Sequence, residues 1–243
     1  MRMRKKKNGA ERLSACGEFI YKHEGEPLTD PAAALGMTGA PVYLEIGAGK
    51  GGFACGMARV HADTAYFAME RVSDCAMLAS ERAKREGNLD NLRFVIDTAD
   101  NLTSLFGSGS VDAIFLNFSD PWSKKGYAKR RLTHRRYLSV YFNLLKDGGV
   151  LRFKTDNIGL FDFSLEEILA MGLECSKCTR DLHASEFNDG NIMTEYETAF
   201  SSEGIKINML EVIKPCGFKP EMSKELLPGG KEFFIGTGTD DKA

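Results

Sequence analysis

Short apolar strands alternate with helical segments along most of this chain, and this alternation constrains its fold more than any other feature. Six strands are predicted: five at residues 42–46, 65–69, 92–96, 111–118 and 150–154, and a late strand at 207–213. Helical periodicity predicts the intervening helices at 53–60, 73–86, 133–145 and 158–171. Such alternation favours a parallel, doubly wound α/β sheet with right-handed crossovers.

The length of 243 residues suits one large α/β domain with its own core. We divide the chain into a basic arm and lead-in (1–40), a main domain (41–215) and a tail (216–243). Residues 1–13 are charged and are expected to be mobile, and little regular structure is expected before the first strand. The net charge of -2 does not by itself indicate a nucleic-acid-binding protein.

The sequence predicts a cytoplasmic protein without a membrane partner. No apolar run approaches the roughly 20 residues that cross a bilayer. The charged start lacks the apolar stretch of a secretory signal. The six scattered cysteines are expected to be reduced thiols. Cys175 and Cys178 form a lone C-x-x-C pair, and a structural zinc needs four ligands, so we predict no metal site.

A glycine-rich loop follows the first predicted strand. Gly47, Gly49 and Gly52 satisfy G-x-G-x-x-G, the pattern that allows close approach of a dinucleotide to the backbone. Glu45 stands just before the glycines, where a carboxylate would repel a pyrophosphate but attract a cation. Glu70 ends the second strand, where an acid can accept hydrogen bonds from ribose hydroxyls. The two acids favour S-adenosylmethionine; a nicotinamide cofactor and a plain helix-capping turn are the alternatives.

An acidic turn ends the fourth predicted strand. Asp120 and Trp122 lie in the sequence Ser-Asp-Pro-Trp, at the strand end where open α/β sheets bind ligands. A carboxylate beside an aromatic ring suits recognition of a nucleic-acid base. The turn is similar to the N/D-P-P-Y/F/W turn of amino methyltransferases, but it has one proline instead of two. Ordinary turn chemistry and a buried tryptophan are the alternatives.

A basic segment follows this turn directly. Seven cations fall within thirteen residues: Lys124, Lys125, Lys129, Arg130, Arg131, Arg135 and Arg136. Such a cluster beside a ligand edge predicts phosphate contacts, although a solvated charged face is the alternative.

Taken together, these motifs closely resemble bacterial tRNA (guanine-N7-)-methyltransferases of the TrmB type. The matching pieces are E-I-G-A-G-K-G-G at 45–52, N-F-S-D-P-W-S-K-K at 117–125, K-R-R at 129–131, F-K-T-D-N at 153–157 and G-N-I-M-T-E-Y-E at 190–197. The resemblance implies a class I methyltransferase fold, mostly parallel with a late antiparallel strand. It also implies S-adenosylmethionine as cofactor and a guanine in the tRNA variable loop, position 46, as acceptor, and it allows a homodimer.

The resemblance also implies roles for particular residues. It implies cofactor contacts for Glu45, Gly47, Gly49, Glu70, Thr98 and Asp120. It implies substrate contacts for Lys124, Asp156, Thr194, Glu195, Tyr196 and Glu197. It implies RNA contacts for Lys125, Gly126, Lys129, Arg130 and Arg131. The family usually has Asp or Asn where Thr98 stands, so either Asp97 or Thr98 could reach the adenine.

Asp120 is the predicted catalytic residue. Guanine N7 carries a free lone pair, so methylation there needs positioning and electrostatic stabilisation and no general base. A carboxylate at Asp120 would stabilise the positive charge that develops on the ring. Asp156 is a second candidate for this role, or else the N-cap of the next helix. Glu197 is predicted to close over the guanine, although Thr194-x-x-Glu197 also has capping-box spacing. Methylation of an exocyclic nitrogen on a base is the alternative activity.

Overall fold

The structure is a computed structural model that describes residues 7–222, with Lys125 described by its backbone alone. Its centre is a seven-stranded sheet of order β3-β2-β1-β4-β5-β7-β6. The strands are β1 (Val42–Ile46), β2 (Ala65–Met69), β3 (Leu92–Val95), β4 (Val111–Asn117), β5 (Leu145–Thr155), β6 (Lys177–Thr179) and β7 (Asn208–Ile213). The first five are parallel, and β7 runs antiparallel to both β5 and β6. The predicted mostly parallel α/β fold with a late antiparallel strand is confirmed.

Seven α-helices connect and flank the strands in the described part of the chain. They are α1 (Gly9–Ser14), α2 (Gly52–Val60), α3 (Ser73–Glu86), α4 (Leu102–Leu105), α5 (Arg135–Leu144), α6 (Ile158–Ala170) and α7 (Glu195–Ser202). One apolar cluster joins α2 and α3 to one face of the sheet. A larger cluster joins α5 and α6 to the opposite face. The sheet is therefore covered on both faces, as expected for parallel strands with apolar sequences.

The order of the strands determines where a crevice opens at the carboxyl ends of the strands. The chain progresses outward from β1 to β3 on one side, then returns so that β4 lies beside β1. This reversal is a topological switch point, where the loops after the two central strands leave in opposite directions and open a crevice. The glycine loop follows β1 and the acidic turn follows β4. The two sequence motifs, about 70 residues apart, therefore lie at one crevice.

The predicted elements differ from the structure mainly at their ends, and the helices α4 and α7 were not predicted. The predicted strand at 111–118 stops at Asn117, because Phe118 adopts a left-handed backbone conformation with φ of 52°. The helix predicted at 133–145 begins at Arg135, because the His134 ring accepts a hydrogen bond from the Arg136 amide and caps it. β5 begins at Leu145, five residues earlier than predicted, because the chain there pairs with β4 through an irregular register.

The helix α1 was not predicted; it covers part of residues 1–13, whose mobility stays a prediction. This helix packs on α3, and Arg12 donates two hydrogen bonds of 2.7 Å to Glu81. Lys84 also donates to the Ala15 carbonyl at 2.6 Å. The short edge strand β6 was not predicted either. Residues 1–6 and most of the predicted tail, from 223 onward, lie outside the described residues.

Candidate active site

The glycine loop leaves open space beside the end of β1. Gly47 and Gly49 have φ of 85° and 55°, and a Cβ built on either would meet no atom within 4 Å from residues 7–222, its chain neighbours aside. The amides of Gly47 and Ala48 both donate to the Met69 carbonyl, so the loop is tied to the end of β2. The loop is thus held in a conformation that suits glycine, with room for a ligand to approach its backbone.

Glu45 places a buried carboxylate under this loop. Only 2 % of the residue is exposed, and burial raises the pKa of Glu45 to about 7. One oxygen, Oε1, accepts a hydrogen bond of 3.0 Å from Asn117. The other, Oε2, has no hydrogen-bond partner within the described residues. A buried carboxylate oxygen without a partner is costly, and a cationic ligand group would satisfy it.

This burial predicts a pH-dependent stability. The folded-state pKa of about 7 lies above the ordinary 4.5, so the folded protein keeps a proton that the unfolded chain releases between these values. The stability due to this proton is fully present below pH 4.5 and is lost as the pH rises through 7. Relative to Glu45→Gln, we expect the free energy of unfolding to fall by up to about 1.4 kcal/mol per pH unit in this window. Urea titrations of both proteins from pH 5 to 8 measure this difference. The same pH dependence of the free energy of unfolding in wild type and Glu45→Gln would contradict the prediction.

Glu70 supports the loop from the end of β2. Its Oε2 accepts a hydrogen bond of 2.9 Å from the Gly49 amide, and its Oε1 accepts one of 2.8 Å from the Val72 amide. The carboxylate is buried, yet each of its oxygens retains a lone pair. Glu70 therefore holds the loop and can still accept hydrogen bonds from a ligand.

Beyond β3, Asp97 and Thr98 both make local bonds. Asp97 Oδ1 accepts from the Thr98 amide and from Asn101, each at 2.7 Å. The exposed Thr98 hydroxyl caps the short helical turn that follows by accepting from the Asp100 amide. The loop is ordered by these bonds, and which of the two side chains contacts a ligand stays a prediction.

The acidic turn is strained at both ends. Phe118 and Trp122 have φ of 52° and 41°, a region that residues with side chains seldom adopt. The Phe118 amide donates to the Lys154 carbonyl at 2.9 Å, and Arg131 donates to the carbonyls of Pro121 and Trp122 at 3.0 and 3.2 Å. Surrounding contacts thus impose the turn, and such strain is typical of functional sites.

Asp120 lies at the exposed tip of this turn. Its Oδ2 is 3.6 Å from Arg71, which follows Glu70 after β2, and 65 % of its side chain is exposed. The nearby Ser119 hydroxyl is buried without a partner within the described residues. Asp120 is therefore available to a bound ligand, on the same crevice as the glycine loop.

The basic segment forms a short 3₁₀ helix, Lys125–Arg130. Arg130 lies over the rings of Trp122 and Tyr127, at 5.2 and 4.6 Å from their centroids. Lys124, Gly126 and Lys129 are exposed. Arg131 is half-buried, because its guanidinium holds the acidic turn and lies over the Phe163 ring. Arg131 thus has a structural role that the sequence did not indicate; the RNA contacts of this segment stay predictions.

Residues 190–197, which we call the closing segment, border the crevice from the side of β5. The Tyr196 ring is half-exposed and lies 5.0 Å from the Phe118 ring at the acidic turn. Burial raises the pKa of Tyr196, and the nearby Asp156 carboxylate raises it further. Asn157, and not Asp156, caps α6, because its side chain accepts from the Leu160 amide. The alternative N-cap role for Asp156 is therefore wrong, and Asp156 is left half-exposed near Tyr196.

Thr194 and Glu197 form the capping box of α7, which confirms that alternative. Glu197 is fully buried: its Oε2 is 2.5 Å from Lys154, and its Oε1 accepts from Asn191 at 2.9 Å and is 2.9 Å from His183. Burial alone raises the pKa of Glu197, but the Lys154 charge and these hydrogen bonds outweigh it, so the net pKa is lowered. The Glu197 carboxylate could contact a substrate only if some of these hydrogen bonds broke.

The sequence reasoning missed Lys154, Asn117 and Asn191 as polar partners of the predicted site residues. A lysine within a predicted buried strand was the available signal, because a buried ammonium needs a carboxylate partner. Glu195 also has a partner that the sequence did not indicate, since its carboxylate contacts Arg82 of α3.

Comparison with known proteins places this geometry in context. A family model described as "Putative methyltransferase" matches residues 39–210. A protein of Halalkalibacterium halodurans, named tRNA (guanine-N(7)-)-methyltransferase, is 43% identical over 172 residues, covering 71% of this chain and 77% of that one. A protein of Macrococcus caseolyticus with the same name is 43% identical over 171 residues, covering 70% and 80%.

Solved structures share the fold at low sequence identity. The 16S rRNA methyltransferase KamB superposes with a TM-score of 0.58 at 15% identity, over 81% of this chain and 98% of that one. An antibiotic-related methyltransferase superposes with a TM-score of 0.56 at 18% identity, over 79% and 96%. Within the described residues, no helix is both long and apolar enough to cross a membrane. Residues 7–222 also contain no cluster of three His, Cys, Asp or Glu side chains arranged to hold a metal ion.

Proposed function

Because this chain belongs to the family of tRNA (guanine-N7-)-methyltransferases, we propose that it transfers the methyl group of S-adenosylmethionine to N7 of a variable-loop guanine in tRNA. One observation supports the proposal more than any other: the buried Glu45 Oε2, which has no hydrogen-bond partner among residues 7–222, lies at the switch-point crevice that also bears the acidic turn. A carboxylate there attracts a cationic cofactor and repels a pyrophosphate. The nicotinamide alternative is therefore disfavoured.

The residues of the crevice fit S-adenosylmethionine. Glu45 would accept a hydrogen bond from the ammonium group, and Glu70 would accept from the ribose hydroxyls. Gly47 and Gly49 would leave room for the ligand, since no described residue beyond their chain neighbours comes within 4 Å of a Cβ built on either. When bound, S-adenosylmethionine supplies a methyl group that its sulfonium makes electrophilic.

The remaining residues would act on the acceptor base. The guanine N7 lone pair needs no deprotonation, so the protein's contribution is to position the ring and to stabilise the charge that develops on it. Asp120 is the proposed source of that stabilisation, because its exposed carboxylate is available at the crevice. Tyr196 offers a half-exposed ring for stacking, beside Asp156 and Phe118. We propose that the RNA backbone is contacted by Lys124 and by the 3₁₀ helix that follows it, Lys125–Arg130.

The atom that receives the methyl group decides between this activity and transfer to an exocyclic nitrogen. Unmodified tRNA transcripts are incubated with the protein and labelled S-adenosylmethionine, and the product is treated with borohydride and aniline, which cleave at N7-methylguanine. We expect label in tRNA and a cut at one variable-loop guanine. Label without a cut would favour the exocyclic alternative, and no label with any tRNA would refute tRNA methylation.

Lys129 provides a test of the proposed RNA surface. Removal of one phosphate contact weakens binding to all tRNAs and reduces the slope of log K against log salt by about 0.7–0.9. We therefore expect Lys129→Ala to show this smaller slope in filter-binding titrations. Lys146→Ala is the control, because Lys146 pairs with Asp112 at the amino-terminal ends of β5 and β4, opposite to the crevice. An unchanged slope for Lys129→Ala would contradict the phosphate contact.

We also propose a cytoplasmic location, on the basis of the cysteines, which are free thiols in the structure. Homodimer formation stays a prediction, and light scattering of the purified protein tests it.

A further inference from the structure

Lys154 is a buried cation that the proposed chemistry does not use. It is 1% exposed and lies near the carboxyl end of β5. Its ammonium donates to Glu197 Oε2 at 2.5 Å, to Asn191 Oδ1 at 3.0 Å and to the Ile192 carbonyl at 3.0 Å. All three acceptors belong to the closing segment. One buried side chain therefore ties this segment to the sheet.

The closing segment also packs closely on α2. A Cβ built on Gly56 would lie 2.8 Å from Ile192 Cγ2, and one built on Gly52 would lie 2.8 Å from the Glu195 carboxylate. Gly52 and Gly56 are one helical turn apart, so they present one surface without side chains. The Ile192 side chain contacts this surface, and the Ile192 carbonyl accepts a hydrogen bond from Lys154.

The backbone of Lys154 contacts the other side of the crevice. Its carbonyl accepts from the Phe118 amide at the start of the acidic turn. In the sheet it pairs with Asn117, whose side chain donates to Glu45. The Lys154 ammonium also lies within electrostatic range of the Glu45 carboxylate and 5.1 Å from the centre of the Phe53 ring. Lys154 thus connects the acidic turn, the surroundings of the Glu45 carboxylate and the closing segment.

We propose that Lys154 is a positioning residue for methyl transfer, which holds the closing segment against the acidic turn so that Tyr196 and Asp120 face the same acceptor base. The inference rests on the proposed function, since it concerns the acceptor side of that reaction. The contact between the Tyr196 and Phe118 rings, 5.0 Å apart, is the product of this arrangement. Without the ammonium, the segment keeps its capping box but loses its attachment to β5.

The test separates positioning from stability. Lys154→Met leaves Glu197 buried without its cation and is expected to lower the melting temperature strongly. The double variant Lys154→Met/Glu197→Gln removes both charges, and glutamine can retain the capping box, so the melting temperature is expected to recover. We expect kcat/KM for tRNA to stay about 10- to 100-fold below wild type in the double variant, because a misplacement of about 1 Å costs up to about 100-fold. Recovery of kcat/KM together with the melting temperature would overturn the proposal.

A second variant is needed for two reasons. Glu197 could itself contact the base, and Lys154→Met could fail to fold. Asn191→Ala removes one acceptor of the Lys154 ammonium and one donor to Glu197 Oε1, and it leaves both buried charges in place. We expect about a tenfold loss of kcat/KM for tRNA with an intact circular dichroism spectrum. Wild-type kcat/KM in Asn191→Ala would also overturn the proposal.

The matched control is Lys214→Met. Lys214 is likewise a buried lysine and donates to the Leu145 carbonyl at 2.7 Å, at the far end of β5. We expect a lower melting temperature with kcat/KM within about twofold of wild type; a loss as large as that of the Lys154 variants would overturn the positioning role. Wild-type protein that fails to methylate tRNA would refute the proposed function instead.

Discussion

Replacement of Asp120 by asparagine is expected to lower kcat for tRNA methylation by about 100- to 1000-fold, the range seen when one preorganised electrostatic contact to a transition state is lost. The carboxylate stands exposed at the tip of a turn whose two ends are strained, and the surrounding contacts hold it there. Amide substitution keeps the shape of the side chain and removes its charge. Affinity for S-adenosylhomocysteine should change by less than about threefold, because the loss concerns charge that develops on the base.

Single-turnover kinetics with saturating tRNA measure this effect, and calorimetry measures the cofactor affinity. Asp162→Asn is a matched control, because Asp162 is also an exposed aspartate paired with an arginine, Arg180, away from the crevice. Unchanged turnover of Asp120→Asn would exclude its proposed role. Asp156→Asn should be measured in parallel; a large loss there, with none at Asp120, would assign the charge stabilisation to Asp156.

Replacement of Glu45 by glutamine is expected to weaken binding of S-adenosylmethionine by about 100-fold, since truncation of one partner in a buried charge pair costs about 2–5 kcal/mol. The same change should not destabilise the ligand-free protein at pH 8. The wild type there buries an ionised carboxylate whose Oε2 lacks a partner within residues 7–222, whereas an amide carries no charge. Stability and function therefore respond in opposite directions at this position.

Calorimetry and thermal unfolding, each with and without the cofactor, test this expectation. Glu211→Gln is the control, because Glu211 is a buried glutamate of β7 whose partners are Arg152 and Lys177. It should lower the melting temperature and leave cofactor affinity unchanged. Unchanged affinity in Glu45→Gln would mean that the ammonium of the cofactor binds elsewhere.

Local signals in the sequence predicted the central elements well. The bounds of β1, β2 and α3 agree with the predicted ones, because each has an uninterrupted apolar or helical pattern between turn residues. The sequence also placed the glycine loop and the acidic turn at strand ends, whereas the adjacency of β1 and β4 at the switch point emerged only in the structure. β6 was not predicted, because it is short and half-exposed and leaves a weak apolar pattern.

The polar partners at the site depended on the tertiary structure. Glu45 and Asn117 are 72 residues apart, and Lys154 and Glu197 are 43 apart, so no local pattern pairs them. Thr194 and Glu197 show the contrast: their spacing predicted a capping box, and the structure contains one. The same spacing did not indicate that Glu197 is buried.

The sequence by itself determined the main strands and helices of the sheet and which motifs stand at the strand ends, because periodicity and turn chemistry act between near neighbours. The tertiary structure alone decided which charges are buried together. It left one Glu45 oxygen without a partner in the described part of the chain, joined Lys154 to Glu197 and turned Arg131 toward the acidic turn. Burial and charge pairing depend on what the folded chain brings within a few ångströms, and that is set by the packing of the whole sheet.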